Sequence, residues 1–175
     1  MEKTPWTGRS RLISMILNAD EILKIAEQIE RNGIVFYEKA AERFSGDEER
    51  TLLSLAKMER NHERAFASMR RELADADEGL EAFDPEGEAE KYLAAIADGQ
   101  IFDLNADPVA LLGQQDSIRG ILELAIGLEK DSVVFYVAIK DAVPESLGKD
   151  EIEKIIKEEM DHIILLSGIL SSLAK

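Results

Sequence analysis

A chain of 175 residues is about the length of one domain, and 45% hydrophobic with 33% charged residues describes a folded, solvated globule. The absence of cysteine excludes disulfides, zinc ribbons, iron–sulfur clusters and thiol nucleophiles, so any redox metal must be held by carboxylates and imidazoles. A net charge of −15 repels nucleic acid and anionic lipid, which excludes both as partners. No apolar run approaches the ~20 residues of a membrane span. The run Leu12–Leu17 is broken by Ser14 and is too short for a secretory signal. The expected location is the cytoplasm.

Residues 1–17 stand outside any bundle pattern. They carry Lys3, Arg9 and Arg11, then Trp6 and the apolar Leu12, Ile13, Met15, Ile16 and Leu17, and are expected to dock on the bundle or on a partner subunit. Residues 18–175 are read as the bundle itself. Its first helix runs from Asn18 or Asp20 to Phe44, stopped by Ser45 and Gly46. The second runs from Asp47 to about Leu73. A connector over residues 74–117 holds twelve acidic residues against one basic residue, Lys91, and is punctuated by Pro85, Pro108 and four glycines. Within it, Ala89–Ala97 and Val109–Leu112 read as short helices. The third long helix runs from about Asp116 to Val143, where Pro144 ends it, and the fourth from Asp150 to Leu173.

The apolar positions of these helices step by three and four. The second helix reads Leu52, Leu55, Glu59, His62, Phe66, Met69, Leu73, and the fourth reads Ile152, Ile155, Glu159, His162, Leu166, Ile169, Leu173. The third reads Ile118, Leu122, Ala125, Glu129, Ser132, Tyr136, Ile139, and the first Ala26, Glu30, Gly33, Tyr37, Ala40, Phe44. Such seams predict an all-α four-helix bundle of two hairpins. The halves also repeat. Glu30-Arg-Asn-Gly-Ile-Val-Phe-Tyr37 aligns with Glu129-Lys-Asp-Ser-Val-Val-Phe-Tyr136, and Lys57-Met-Glu-Arg-Asn-His62 with Lys157-Glu-Glu-Met-Asp-His162. A long crossover makes the second and third long helices point the same way, and a pseudo-twofold brings the polar residues of both halves together at mid-bundle.

An ionised carboxylate in an apolar seam costs several kcal/mol unless it is paired or binds metal. Four Glu at one level of one core must therefore hold protons or enclose cations. A Glu and a His three residues apart project from one helix face and reach the same ion. Both histidines of the chain have Glu three residues earlier. With one lone Glu from each remaining helix, Glu30, Glu59, His62, Glu129, Glu159 and His162 make the six-ligand set of a di-metal carboxylate bundle. Four carboxylates also balance two divalent ions.

On these residues the chain resembles the rubrerythrin-related group of the ferritin-like superfamily, over both helical pairs. The resemblance implies a ferritin-like bundle with two Fe ions, bridged by Glu59 and Glu159 and held terminally by Glu30 and Glu129. Rubrerythrins carry a rubredoxin-type module with four Cys, and this chain has none. They also carry a further Glu one turn after the lone Glu of the third helix, where Ser132 stands here, with Gly33 as its repeat mate. The family's peroxide reduction uses that extra carboxylate.

Around the six, Tyr37 and Tyr136 lie seven residues after a lone Glu on the same face, placed to bond a ligand carboxylate through the hydroxyl. Phe36 and Phe135 are packing residues. Each His needs a partner for its other ring nitrogen, and Glu158, Asp161 or Asn61 could serve. The small Gly33 and Ser132 either let helices approach or leave room for oxygen or peroxide. The functional reading is a non-haem di-iron oxidoreductase acting on oxygen or peroxide, homodimeric, with electrons from a separate donor such as a rubredoxin-like protein. The alternatives are a protein that oxidises and handles iron, or a bundle holding a redox-inert ion. Zn or Mn fits the same donors.

Overall fold

A computed structural model of the chain describes residues 19–75, 106–140 and 148–173. Five helices lie in these stretches: α1 (Ala19–Ala41), α2 (Asp47–Asp75), the short α3 (Pro108–Gly113), α4 (Ile118–Lys140) and α5 (Lys149–Ser172). Among the described residues there is no strand. No described helix is long and apolar enough to cross a membrane. The segment 1–17, the helix expected at Ala89–Ala97 and the stop at Pro144 lie outside the described residues.

Helix ends differ from expectation by a few residues, for local reasons. The first helix stops at Ala41 rather than Phe44, because its last carbonyls are taken by tighter bonds, Arg43 N to Ala40 O at 2.9 Å and Phe44 N to Ala41 O at 3.1 Å. Gly46, at φ 73°, then reverses the chain into α2. The third long helix starts at Ile118 rather than Asp116, because the Ser117 hydroxyl accepts the amide of Gly120 at 3.0 Å. In α3, the Asp107 carboxylate caps Val109 N at 2.9 Å and Pro108 occupies the first turn.

The helices pack as two hairpins, α1 on α2 and α4 on α5, which meet through α1 with α4 and α2 with α5. The pairing of Tyr37 with Glu129 and of Tyr136 with Glu30 makes α1 and α4 antiparallel. His62 facing Glu158, and His162 facing Glu59, do the same for α2 and α5. It follows that α2 and α4 run in the same direction, as a long crossover requires.

Two apolar clusters fill the bundle. One joins Ile22, Leu23, Ala26 and Ile29 to Phe66, Met69, Phe135, Tyr136 and Ile139, and to Ile152, Ile155 and Ile156 of α5. The other joins Phe36, Tyr37, Ala40 and Ala41 to Leu52, Leu55, Ala56, Ile121, Leu122, Ala125 and Leu166, with Leu112 of α3 plugged into it. Between them lies a layer of buried polar side chains. The outermost seam positions Ile118 and Leu173 are exposed, at 40% and 43%, because the bundle ends there.

Candidate metal centre

The buried polar layer consists of Glu30, Glu59, His62, Glu129, Glu159 and His162, together with Ser132. Each long helix supplies its share through the three–four stepping of its seam. The six acidic and imidazole side chains form two groups, Glu30–Glu59–His62–Glu159 and Glu59–Glu129–Glu159–His162, each with donor atoms within 4.8 Å of one another. Glu59 and Glu159 belong to both.

The atom pairing is specific. Glu159 offers Oε1 to His62 Nδ1 at 3.0 Å and Oε2 to His162 Nδ1 at 2.8 Å. Glu59 offers Oε1 to His162 Nδ1 at 3.2 Å and Oε2 to His62 Nδ1 at 4.0 Å. Each of these carboxylates thus turns one oxygen to each histidine. Glu30 reaches only His62 Nδ1, at 3.5 Å, and Glu129 only His162 Nδ1, at 3.4 Å. The two rings stack with centroids 5.8 Å apart.

Despite these short separations, both Nδ1 atoms, both oxygens of Glu159, Glu59 Oε1 and Glu30 Oε2 make no hydrogen bond of good geometry among the described residues. Buried polar atoms are normally satisfied, and leaving one bare costs about 1–3 kcal/mol. Six orphaned donor atoms converging in one dry layer fit a pair of cations better than they fit a core. Nitrogen and carboxylate donors in this ratio suit Fe, Mn or Zn.

Charge in the layer is strongly perturbed. Burial, reinforced by the charge of Glu159, pushes the Glu30 carboxyl up to about 8 against the opposing bonds from Glu59 and Tyr136. Burial likewise lifts Glu59 and Glu129 well above the usual carboxylate range. Burial would also lift Glu159, but its close contacts with His162 and His62 win and hold it down at about 2. Burial alone would lower the histidines. Contacts with Glu159 instead raise His62 to about 9, and those with Glu129 and Glu159 raise His162 to about 12. Without a metal, burial thus favours the neutral form of Glu30, Glu59 and Glu129, and Glu159 is the carboxylate that the two histidines hold toward its ionised form.

The surroundings answer the points that the sequence leaves open. The Tyr37 hydroxyl donates to Glu129 Oε1, and the Tyr136 hydroxyl to Glu30 Oε1, each crossing from one hairpin to the other. Burial pushes both phenols well above their ordinary value, so they stay protonated donors. His62 Nε2 bonds Glu158 Oε2 at 2.7 Å. A proton held there leaves the Nδ1 lone pair facing the cluster, the tautomer that a metal ligand needs. Asn61 and Asp161 are exposed.

Gly33 and Ser132 both line a cavity of about 220 Å³ between α1 and α4, roofed by Ala106, Pro108 and Leu111 and reaching Glu59 and Glu129. Gly33 also serves packing, since a Cβ there would lie 3.2 Å from Glu59 Oε2. Gly33→Ala should leave the metal-free protein as stable or up to about 1 kcal/mol more so, because Ala favours the helix. It should weaken metal binding by about tenfold by displacing Glu59. Thermal melts and metal titration of the same samples check both halves.

Sequence reasoning misses Glu27, which is 2% exposed and lies off the seam. It is held by Arg31 at 2.6 Å and by Arg70 of α2 at 2.8 Å, outside the metal cluster. The Arg31 four residues later is the only local hint.

No protein-family model matches the chain, and no curated protein matches it. A solved structure does. It is a Thermotoga maritima protein assigned as ferritin-like and diiron-carboxylate, 27% identical, with a TM-score of 0.69 over 88% of this chain and 95% of that one. The fold of the present chain is accordingly a ferritin-like helical bundle.

Proposed function

We propose that the chain is a non-haem di-iron oxidoreductase of rubrerythrin-like type, which reacts with oxygen or peroxide and takes electrons from a separate donor protein. The observation that carries the reading is the pair of carboxylates, Glu59 and Glu159, each presenting one oxygen to each of two buried histidines. The diiron-carboxylate assignment of the Thermotoga maritima protein supports the choice of metal.

On this reading Glu30, Glu59, His62 and Glu159 hold one ion, and Glu59, Glu129, Glu159 and His162 hold the other. A pair of ferrous ions supplies two electrons together, the number that reduces one peroxide to two waters. The chain's own groups do the rest. Tyr37 and Tyr136 fix the two terminal carboxylates by hydrogen bonds and keep protons beside them. The apolar clusters above and below exclude water. The cavity admits a small molecule to Glu59 and Glu129. The electron donor, a rubredoxin-like protein, and the homodimer and cytoplasmic setting belong to the same proposal.

Stopped-flow oxidation of anaerobically iron-loaded protein tests it. Wild type should react with both oxygen and peroxide, since Ser132 replaces the carboxylate that rubrerythrins place there. Ser132→Glu, one turn from Glu129 on the same helix face, should shift the preference toward peroxide. If neither oxidant reacts faster than with free ferrous ion, the oxidoreductase reading fails. Uptake of many more than two irons per chain favours iron handling instead.

A further inference from the structure

The ligand set is twofold-symmetric, but its surroundings are not. His62 Nε2 is anchored on Glu158 at 2.7 Å, whereas His162 Nε2 is buried with no hydrogen-bond partner among the described residues. The repeat explains the difference. The residue before Glu159 is Glu158, and the residue at the matching place before Glu59 is Met58. A thioether is at most a weak acceptor, so it does not replace a carboxylate as partner to a ring N–H. The cavity breaks the symmetry in the same sense. It reaches Glu129, Tyr37 and the shared Glu59, while Glu30 and Tyr136, their mates in the repeat, are not on its wall, and neither histidine is.

We infer that the two metal positions are functionally unequal: the one at Glu30 and His62 is the tight, closed position, and the one at Glu129 and His162 is the weaker, exchangeable position at which small molecules arrive. The inference rests on the di-metal reading above and assigns roles within it.

The physical basis is the partner of the second ring nitrogen. A carboxylate there fixes the tautomer and the ring orientation and makes the ligating nitrogen more basic, and its loss typically costs 10–100-fold in metal affinity. His62 has that partner and His162 lacks it. Glu158 is thus a positioning residue that acts through His62. Its side chain is 52% exposed, so replacing it does not threaten the core. The cavity of about 220 Å³ exceeds the 150 Å³ of an engineered cavity that takes up benzene or xenon. There is ample space beside Glu129 for a small anion.

The test uses the full chain, stripped of metal and titrated with Co²⁺, which reports its coordination by visible absorption. Wild type should bind two Co²⁺ in two steps separated by about tenfold or more. His162→Ala should keep the tight step and lose the weak one, and His62→Ala the reverse. Glu158→Gln should weaken the first step by about tenfold, and Met58→Glu should strengthen the second. Azide should perturb the spectrum of doubly loaded wild type and leave singly loaded His162→Ala unchanged. Two equal steps, equal losses in the two histidine variants, or an azide response in His162→Ala would overturn the assignment while leaving a di-metal site intact. Failure to bind a second Co²⁺ in wild type strikes at the di-metal reading itself.

Discussion

Metal-free protein should lose stability as pH rises from about 5 to 9, and metal-loaded protein should lose it as pH falls below about 5. In the metal-free fold Glu30 titrates near 8 and His62 near 9, against ordinary values of 4.5 and 6.5. Both are raised, so the native state binds more protons than the unfolded chain. Their stabilisation is fully present below the ordinary values and is lost as pH climbs through the raised ones. Glu59, Glu129 and His162 add to the same slope. Each extra bound proton is worth about 1.4 kcal/mol per pH unit. Glu159 is lowered and opposes them, but its contribution is lost only as pH falls from 4.5 toward 2. Bound cations take the place of those protons, and acid then competes with metal. The metal-induced gain should be about 3–5 kcal/mol, or roughly 10 °C in Tm, at about pH 8 and should vanish as pH falls below about 5. Melts of both forms across this range check the result. Parallel pH profiles with and without metal would show that the buried carboxylates do not host it.

Glu59→Ala and Glu159→Ala should both reduce bound metal from about two ions per chain to one or none, because each removes a ligand from both positions. Their effects on the metal-free protein should diverge. Removing Glu159 deletes the anion that faces both His62 and His162, and breaking such a buried pair costs about 3–5 kcal/mol. Removing Glu59, a carboxyl that burial pushes toward its neutral form, should cost clearly less. Elemental analysis together with denaturant melts separates the two roles. Unchanged metal content in either variant would contradict the assignment of that residue as shared.

Much of this centre is legible in the chain itself. The three–four seams place Glu30, Glu59, His62, Glu129, Glu159 and His162 at one level, and the repeat tells that the halves meet as equals. Tyr37 and Tyr136 follow from the same stepping, and both bond a carboxylate of the opposite hairpin. What escapes is set by contacts between helices. Glu27 is buried because Arg70 arrives from α2, and no local pattern announces that. Glu158, rather than Asn61 or Asp161, serves His62 because α2 and α5 face each other at that register. The inequality of the two halves was within reach, since Met58 stands opposite Glu158 in the aligned repeat. Its meaning needs the structure, in which the second nitrogen of His162 is buried without a partner among the described residues. Helix ends were the least legible, because last-turn carbonyls and a serine cap decide them.

The central claim is that two metal ions share Glu59 and Glu159. An anomalous-difference map from a crystal of metal-loaded protein tests it most directly. Two peaks are predicted between those carboxylates, one beside Glu30 and His62 and the other beside Glu129 and His162. A single peak, or peaks lying away from the shared pair, would contradict it.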